Sequence, residues 1–193
     1  MNEYIYQQPG VLTGEVCDKI IKYYTDSKET YDGVTQSGMN KNIKDTRDLI
    51  IPKNPPEDSQ WSYINKVLYE SLYANLLIYL MRVNPDKGKY RMFSTNRLTE
   101  SLFMIQKYQK NKGKYIYHND SRFESNRYRV ITYIWYLNDV EEGGETEFWG
   151  EYRVKPEKGK LVLFPASWTF PHCGKMPVSH DKYIVTGWLY VDL

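Results

Sequence analysis

The sequence predicts a mainly β protein of the α+β class, in which a jelly-roll core is buttressed by N-terminal helices. Three observations lead to this prediction. The first hundred residues carry apolar side chains at helical spacing, the second half carries short segments rich in β-branched and aromatic residues, and glycines separate those segments. Many short strands between turn signals are typical of a sandwich or a barrel.

The length of 193 residues is that of one domain with some elaboration. We therefore expect residues 1–193 to form a single unit. Within it, residues 1–99 are predicted to provide helical support and a mobile loop, and residues 100–193 are predicted to form the jelly-roll core. A chain of this size can bury a sizeable core without disulfides or metals.

Two helices are predicted in the first half. The first covers residues 14–26, because Thr13 stands in an N-cap position and apolar residues then recur at helical spacing. The second is a long helix that follows Pro55-Pro56 and ends near Asn84-Pro85. One face of it is marked by apolar residues at helical spacing, namely Trp61, Ile64, Leu68, Leu72, Leu76, Tyr79 and Leu80.

The segment from Thr30 to Lys44 is polar, contains Gly33 and Gly38, and shows no apolar periodicity, so it is predicted to be a mobile loop. The second half has six segments with strand composition. They are residues 102–108, 115–118, 129–137, 145–148, 160–164 and 183–191.

Charge and composition disfavour several classes of protein. The 26 Lys and Arg residues nearly balance the 24 Asp and Glu residues, which disfavours a nucleic-acid partner. The N-terminus lacks a basic start followed by an apolar core, and no long uncharged apolar run occurs, so we expect no membrane association. Cys17 and Cys173 form no metal-binding or disulfide pattern, which suits a reducing compartment and predicts a cytoplasmic protein.

The candidate chemistry begins with the histidines, of which there are three, His118, His172 and His180. His118 and Asp120 are two residues apart and would face the same way on an extended chain. Two histidines and one carboxylate on one face form the facial triad of non-haem Fe(II) oxygenases. His180 has polar neighbours and is predicted to lie in a solvated turn, so His172 is the predicted third ligand.

The residues around these positions carry a wider pattern. It comprises Tyr108, Gly113, Tyr115, His118-x-Asp120, Arg129-x-x-Thr132, YLNDVEEGGETEF, Lys160 to Pro165, His172-Cys173-Gly174, Pro177-Val178, Lys182-Tyr183 and Trp188. This pattern resembles the prolyl 4-hydroxylase group of 2-oxoglutarate- and Fe(II)-dependent dioxygenases. The resemblance covers residues 100–191, and extends to the first hundred through the opening helix and a segment containing Arg47.

The resemblance implies a double-stranded β-helix in which His118, Asp120 and His172 bind Fe(II). It also implies that Lys182 is the cation for the distal carboxylate of 2-oxoglutarate, with Tyr108 and Thr146 as hydrogen-bonding partners nearby. A buried dianion needs such a counter-charge on chemical grounds as well.

The resemblance further implies that Arg129, Tyr115 and Trp188 surround the prime substrate, a proline-containing peptide or protein. The implied reaction converts 2-oxoglutarate and O₂ to succinate and CO₂ while hydroxylating a prolyl residue, with ascorbate as the reductant. The chain departs from the family in a Lys-rich linker before His118 and in His180, where relatives often have a small residue.

Alternatives remain at this stage. The same scaffold could oxidise a lysyl residue, a free amino acid or a nucleobase. A sensor that binds 2-oxoglutarate without turnover and a hydrolytic zinc site are candidates from other classes. Single residues also have plain structural explanations: an acid pair on a sheet face for Arg129, a strand position for Thr146, core packing for Trp188 and a surface position for Lys182. The sequence leaves the oligomeric state open.

Overall fold

The computed structural model describes residues 2–84 and 97–192. A short 3-10 helix, Asn2–Tyr4, precedes two α-helices, α1 (Gly14–Asp26) and α2 (Gln60–Val83). The Thr13 side chain accepts a hydrogen bond from the Val16 amide at 3.3 Å and so begins α1. Both predicted helices are confirmed.

The described residues form fourteen strands. They are β1 (Tyr6–Gln8), β2 (Tyr31–Asp32), β3 (Lys44–Asp45), β4 (Arg47–Ile50), β5 (Leu98–Glu100), β6 (Met104–Tyr108), β7 (Lys114–His118), β8 (Phe123–Glu124), β9 (Arg127–Tyr136), β10 (Thr146–Phe148), β11 (Tyr152–Val154), β12 (Leu161–Pro165), β13 (His172–Gly174) and β14 (Lys182–Asp192).

Two antiparallel sheets make up the core of the fold. The larger has nine strands in the order β1-β12-β9-β14-β6-β4-β2, with β5 paired to β14 and β8 paired to β9. The smaller has five strands in the order β11-β10-β13-β7-β3. One cluster of buried apolar residues draws from both sheets, including Tyr136 and Ile184 of the larger and Phe148 and Val154 of the smaller. The sheets therefore face each other as a jelly roll, which confirms the predicted fold class.

The helices cover the other face of the larger sheet. Ile20 of α1 and Leu68 and Leu72 of α2 are completely buried in one apolar cluster with Trp135 and Val185 of the sheet. Because this cluster lies opposite the inter-sheet core, the larger sheet is apolar on both faces. The helices thus support the larger sheet, which supplies one wall of the site described below.

The six predicted strands correspond to β6, β7, β9, β10, β12 and β14, with ends that differ by at most two residues. The other eight strands, of two to four residues, were not predicted, because so short a run shows little alternation. Five of these, β1 to β5, lie before residue 101, so the first part of the chain contributes strands to the sheets as well as helical support. The predicted boundary near residue 100 therefore does not separate helices from strands.

The prediction of a loop from Thr30 to Lys44 was wrong at both ends. Tyr31 and Asp32 form β2 because they pair with Asp48 and Arg47 of β4. Lys44 is buried in β3, where it pairs with Tyr115 of β7. Residues 33–43 connect these strands without helix or longer strand.

Cys17 and Cys173 are both buried and unpaired, in agreement with the sequence. Within the described residues, neither α1 nor α2 is both long and apolar enough to cross a membrane.

Candidate functional site

Three side chains with metal-binding atoms converge between the two sheets. His118 ends β7, Asp120 follows two residues later, and His172 opens β13. His172 and His118 are direct partners in the antiparallel register of these strands. One ligand atom from each of the three residues lies within 4.8 Å of the other two. The predicted triad is therefore assembled by strand pairing, as the sequence spacing suggested.

Backbone hydrogen bonds fix the orientation of both imidazole rings. His118 Nδ1 lies 2.8 Å from the Ile116 carbonyl, and His172 Nδ1 lies 3.0 Å from the Phe170 carbonyl. A carbonyl oxygen only accepts, so each Nδ1 carries the proton and each Nε2 keeps a free lone pair. These Nε2 atoms lie 3.8 Å and 3.5 Å from the Asp120 carboxylate oxygens. Metal-binding histidines are typically oriented in this way.

The electrostatics of the cluster keep His118 neutral and Asp120 ionised. Burial and, to a lesser extent, the nearby His172 together lower the pKa of His118 to about 4. Burial alone would raise the pKa of Asp120, but His172, His118 and the hydrogen bond from Thr132 lower it below its usual value. Thr132 Oγ1 donates to Asp120 Oδ2 at 2.7 Å. The site therefore presents a carboxylate and neutral imidazole at neutral pH.

The indole N–H of Trp188 is buried and has no hydrogen-bond partner among the described residues. The same N–H is nevertheless among the groups that lower the pKa of Asp120. Two unprotonated imidazole nitrogens and a carboxylate are the donor set of the Fe(II) facial triad. The residues present thus fit an Fe(II) ion.

A lysine is buried beside the triad. Lys182 opens β14, is 1% exposed, and donates to the Gly144 carbonyl at 2.9 Å. Gly144 and its neighbour Gly143 both have positive φ, 75° and 72°, a conformation that glycine adopts readily. No carboxylate within the described ranges lies at ion-pair distance from the Lys182 ammonium, and burial lowers its pKa to about 7. A buried cation without an anion fits an anionic ligand.

Tyr108 and Thr146, the predicted partners of Lys182, line the same cavity as Lys182. The Lys182 Nζ is 3.9 Å from the centroid of the Tyr108 ring, while the Tyr108 hydroxyl donates to Gln106 Oε1 at 3.2 Å. Thr146 Oγ1 lies 2.6 Å from the hydroxyl of Tyr136, which is completely buried. Gly174 sits against the Tyr108 ring, where a Cβ would lie 3.0 Å from the ring edge.

The residues predicted to surround a prime substrate form a second group. Tyr115 stacks on the His118 ring, with centroids 3.5 Å apart. The Arg129 guanidinium lies 3.6 Å from the centroid of the Trp188 ring. Arg129 also donates to the Tyr190 hydroxyl at 3.2 Å and pairs with Glu124 at 3.4 Å. Arg129 thus makes the acid pair and also contacts Trp188, one of the predicted substrate-side residues.

Most residues of the two groups line one cavity of about 40 Å³. Its walls include every predicted site residue except Arg129, together with Gln106, Gly174 and Thr132, Ile134, Ile184 and Thr186. A larger groove of about 490 Å³, between α2 and the β5–β6 connection, contains none of the predicted site residues. His180 is exposed and outside the cavity, as predicted.

Sequence reasoning missed several wall residues, and strand alternation could have found some of them. From Lys182, every second residue of β14 faces the cavity, which selects Ile184, Thr186 and Trp188. On β9 the same rule selects Thr132 and Ile134. On β6 the rule, started from Tyr108, selects Gln106.

Comparisons with known proteins agree with this geometry. Residues 103–190 match the 2OG-Fe(II) oxygenase superfamily. A probable prolyl 4-hydroxylase 7 from Arabidopsis thaliana is 24% identical over 97% of this chain. The chain spans 62% of the length of that relative.

Solved structures show the same fold at low identity. A prolyl hydroxylase from Trichoplax adhaerens, in complex with a hypoxia inducible factor peptide fragment, has a TM-score of 0.72 and 20% identity over 98% of this chain and 84% of that chain. A viral collagen prolyl hydroxylase from Paramecium Bursaria Chlorella virus-1, in its 2OG complex, has a TM-score of 0.69 and 17% identity over 97% of this chain and 96% of that one. A Pseudomonas putida prolyl-4-hydroxylase has a TM-score of 0.69 and 16% identity over 98% and 93% of the two chains.

Proposed function

We propose a prolyl hydroxylase activity for this chain, starting from the finding that residues 103–190 match the 2OG-Fe(II) oxygenase superfamily. That superfamily implies Fe(II), 2-oxoglutarate and O₂ as cofactor and co-substrates. The proposed substrate is a prolyl residue of a peptide or protein. Ascorbate as reductant and a cytoplasmic location belong to the same proposal, the latter supported by two buried, unpaired cysteines.

One observation carries the proposal. The His118, Asp120 and His172 donor atoms lie in one cavity with the ammonium of Lys182, a buried cation that lacks an anion within the described residues. A hydrolytic zinc site would need the three metal ligands but would leave Lys182 without a purpose. A site for a metal and an anionic co-substrate uses both.

The residues divide the work as follows. His118, Asp120 and His172 would hold Fe(II), which together with 2-oxoglutarate and O₂ supplies the oxidation of a C–H bond and the conversion of the keto acid to succinate and CO₂. Thr132 keeps Asp120 ionised and in place. Lys182 would pair with the distal carboxylate, and Thr146 would lie beside it. The apolar walls Ile134 and Ile184 exclude water and strengthen that pairing.

On the substrate side, Tyr115 and Trp188 supply aromatic walls suited to an extended, proline-containing segment. Arg129 would donate to a backbone carbonyl of the peptide. The structure of the Trichoplax adhaerens prolyl hydroxylase holds a hypoxia inducible factor peptide fragment, and the similarity of fold supports a peptide substrate here. The polar connection of residues 33–43 is proposed to close over the bound peptide.

The experiment is succinate formation from 2-oxoglutarate with Fe(II) and ascorbate, measured with and without a proline-rich peptide. We expect the peptide to raise the rate at least tenfold over the slow peptide-free reaction. Stimulation by a lysine-rich peptide, a free amino acid or a nucleobase instead would assign the scaffold to another substrate, and 2-oxoglutarate binding without succinate from any of them would favour a sensor.

Replacement of Arg129 by alanine should separate the two reactions. We expect a loss of tenfold or more in peptide-stimulated turnover, because the peptide is no longer held in position, and a change of less than twofold in the peptide-free decay of 2-oxoglutarate. Arg122→Ala is the matched control, since Arg122 pairs with the same Glu124 at 3.1 Å but its side chain is 39% exposed. Equal losses in peptide-stimulated and peptide-free turnover of the Arg129→Ala protein would show that Arg129 does not hold the peptide substrate.

A further inference from the structure

The larger groove, of about 490 Å³ between α2 and the β5–β6 connection, has the volume of a ligand-binding cleft. Its lining carries three cations, Lys53, Lys66 and Arg127, and one acid, Glu100. We call it the basic groove. None of the residues assigned to the metal or to 2-oxoglutarate lines it, so the proposed reaction does not account for it.

The positive charge of the basic groove is not neutralised by the part of the chain that the structure describes. Within those residues, none of Lys53, Lys66 and Arg127 forms an ion pair. The one acid of the groove, Glu100, already accepts the Tyr73 hydroxyl at 2.7 Å. The excess of positive charge therefore favours an anionic ligand.

Arg127 is the cation whose hydrogen-bonding groups are least used. Its strand partners Glu124 and Asp192 are both acidic, yet neither forms an ion pair with it. Its Nε is buried and has no hydrogen-bond partner among the described residues. A guanidinium has five N–H donors, so Arg127 has donor capacity that an acceptor on a ligand would use.

Apolar side chains complete the basic groove. Ile51 and Phe103 are buried, whereas Tyr69 and Leu102 are 47% and 43% exposed. A ligand that covers these exposed side chains is stabilised by the apolar surface that it removes from water. A peptide segment with both acidic and apolar side chains therefore fits the groove better than a small inorganic anion does.

A row of stacked side chains joins the basic groove to the substrate side of the active site. The Arg127 guanidinium lies 4.1 Å from the centroid of the Tyr190 ring, and Arg129 Nε donates to the Tyr190 hydroxyl at 3.2 Å. The Arg129 guanidinium in turn lies over the ring of Trp188, which lines the metal cavity. The groove is thus continuous with the residues that are proposed to bind the peptide.

The strand register gives the distance between the metal cavity and the basic groove. Trp188 is paired with Thr132, and both line the cavity. Arg127 lies on the same strand as Thr132, at its beginning. Because an extended strand rises about 3.3 Å per residue, Arg127 lies about 15 Å along the strand from the cavity wall. An extended or polyproline II peptide covers that distance in about five residues.

We propose that the basic groove is a docking site for an acidic segment of the peptide or protein substrate, about five residues from the target proline. This inference rests on the proposed function and names the chemistry of the substrate beside that proline. Lys53, Lys66 and Arg127 would pair with its carboxylates, and Tyr69 and Leu102 would pack against its apolar side chains. Charges at the edge of an interface mainly change the rate of association, so the groove should lower KM and leave kcat unchanged.

The test compares fluorescently labelled peptides that differ in one flank. Each has a proline-rich centre, with a flank of glutamates or of glutamines placed about five residues from the central proline, on the N-terminal or the C-terminal side. We expect the wild type, loaded with Mn(II) and 2-oxoglutarate, to bind one Glu peptide about tenfold more tightly than its Gln counterpart in fluorescence anisotropy. The KM for succinate formation with Fe(II) should show the same ratio. An increase in ionic strength from about 0.05 M to about 0.5 M should remove the preference.

Reversal of two exposed charges should abolish this preference. We expect Lys53→Glu/Lys66→Glu to bind the Glu and Gln peptides with affinities within about twofold of each other, with kcat unchanged. The matched control, Lys28→Glu/Lys155→Glu, makes the same change of net charge at two exposed lysines outside the groove and the cavity, and it should keep the preference. Arg127→Met should reduce the preference about threefold.

Two results would overturn the inference. One is equal affinity of the wild type for the Glu and Gln peptides with the flank on either side, and the other is a preference that Lys53→Glu/Lys66→Glu retains. A wild type that elutes as a dimer in gel filtration, and as a monomer after this double substitution, would assign the groove to a second copy of the chain instead.

The proposed function is tested separately, by succinate formation with the Gln peptides. If these peptides do not raise succinate formation above the peptide-free rate, the prolyl substrate is contradicted. The binding measurements still decide whether the basic groove takes an acidic segment, because they need no turnover.

Discussion

Alanine at His118, Asp120 or His172 should each abolish succinate formation. Every one of these side chains supplies one of three ligand atoms that lie within 4.8 Å of each other, and a metal ion held by two ligands is bound far more weakly than one held by three. The direct readout is the affinity for Mn(II), measured calorimetrically without turnover. It should fall by at least a hundredfold in each variant.

His180→Ala is the matched control for these substitutions. His180 is exposed and outside the cavity, so this variant should keep most of the succinate formation and the Mn(II) affinity of the wild type. Loss of metal binding in His180→Ala together with its retention in His172→Ala would show that the third ligand is assigned wrongly.

Replacement of Lys182 by methionine should weaken 2-oxoglutarate binding by about 2 to 4 kcal/mol, or about thirty- to a thousandfold. The variant keeps the length of the side chain but leaves a dianion in a buried pocket without its cation. Calorimetry with Mn(II)-loaded protein measures this loss. Equal affinity in wild type and Lys182→Met would remove Lys182 from the co-substrate site, and unchanged Mn(II) affinity shows that the metal centre is intact.

The pH dependence of binding gives a second test of Lys182. Its pKa is about 7 in the free protein because burial disfavours the charged form, and a bound dianion would raise that pKa. Binding therefore requires uptake of a proton above pH 7, and the affinity should be constant below pH 7 and fall up to tenfold per pH unit above it. Lys182→Met should lack this dependence on pH.

The two helices could be predicted because both signals they need are local. Apolar side chains at helical spacing act within a single segment of the chain, and so does the N-cap at Thr13. Strand β13 could not be predicted in the same way. It has only three residues, His172–Gly174, and its extended form depends on pairing with β7 and β10.

The same distinction between local and long-range signals holds for the site residues. His118 and Asp120 could be predicted because they are two residues apart in one segment. Lys182 could be predicted because the sequence around it resembles the family pattern. The burial of Lys44 and Asp48 could not be predicted from the sequence. A charged residue is rarely buried unless it is paired, and the pairing depends on how the chain folds. The hydrogen bond from Gln106 to Asp48 and the one between Tyr136 and Thr146 likewise join different strands.

The most direct measurement of the central claim is mass spectrometry of a proline-rich peptide after turnover under ¹⁸O₂. The account predicts one ¹⁸O atom on a prolyl residue for each succinate formed, and no labelled peptide with the His172→Ala protein. Unmodified proline across a broad peptide panel, with the oxygen atom instead on a lysyl residue, a free amino acid or a nucleobase, would contradict it.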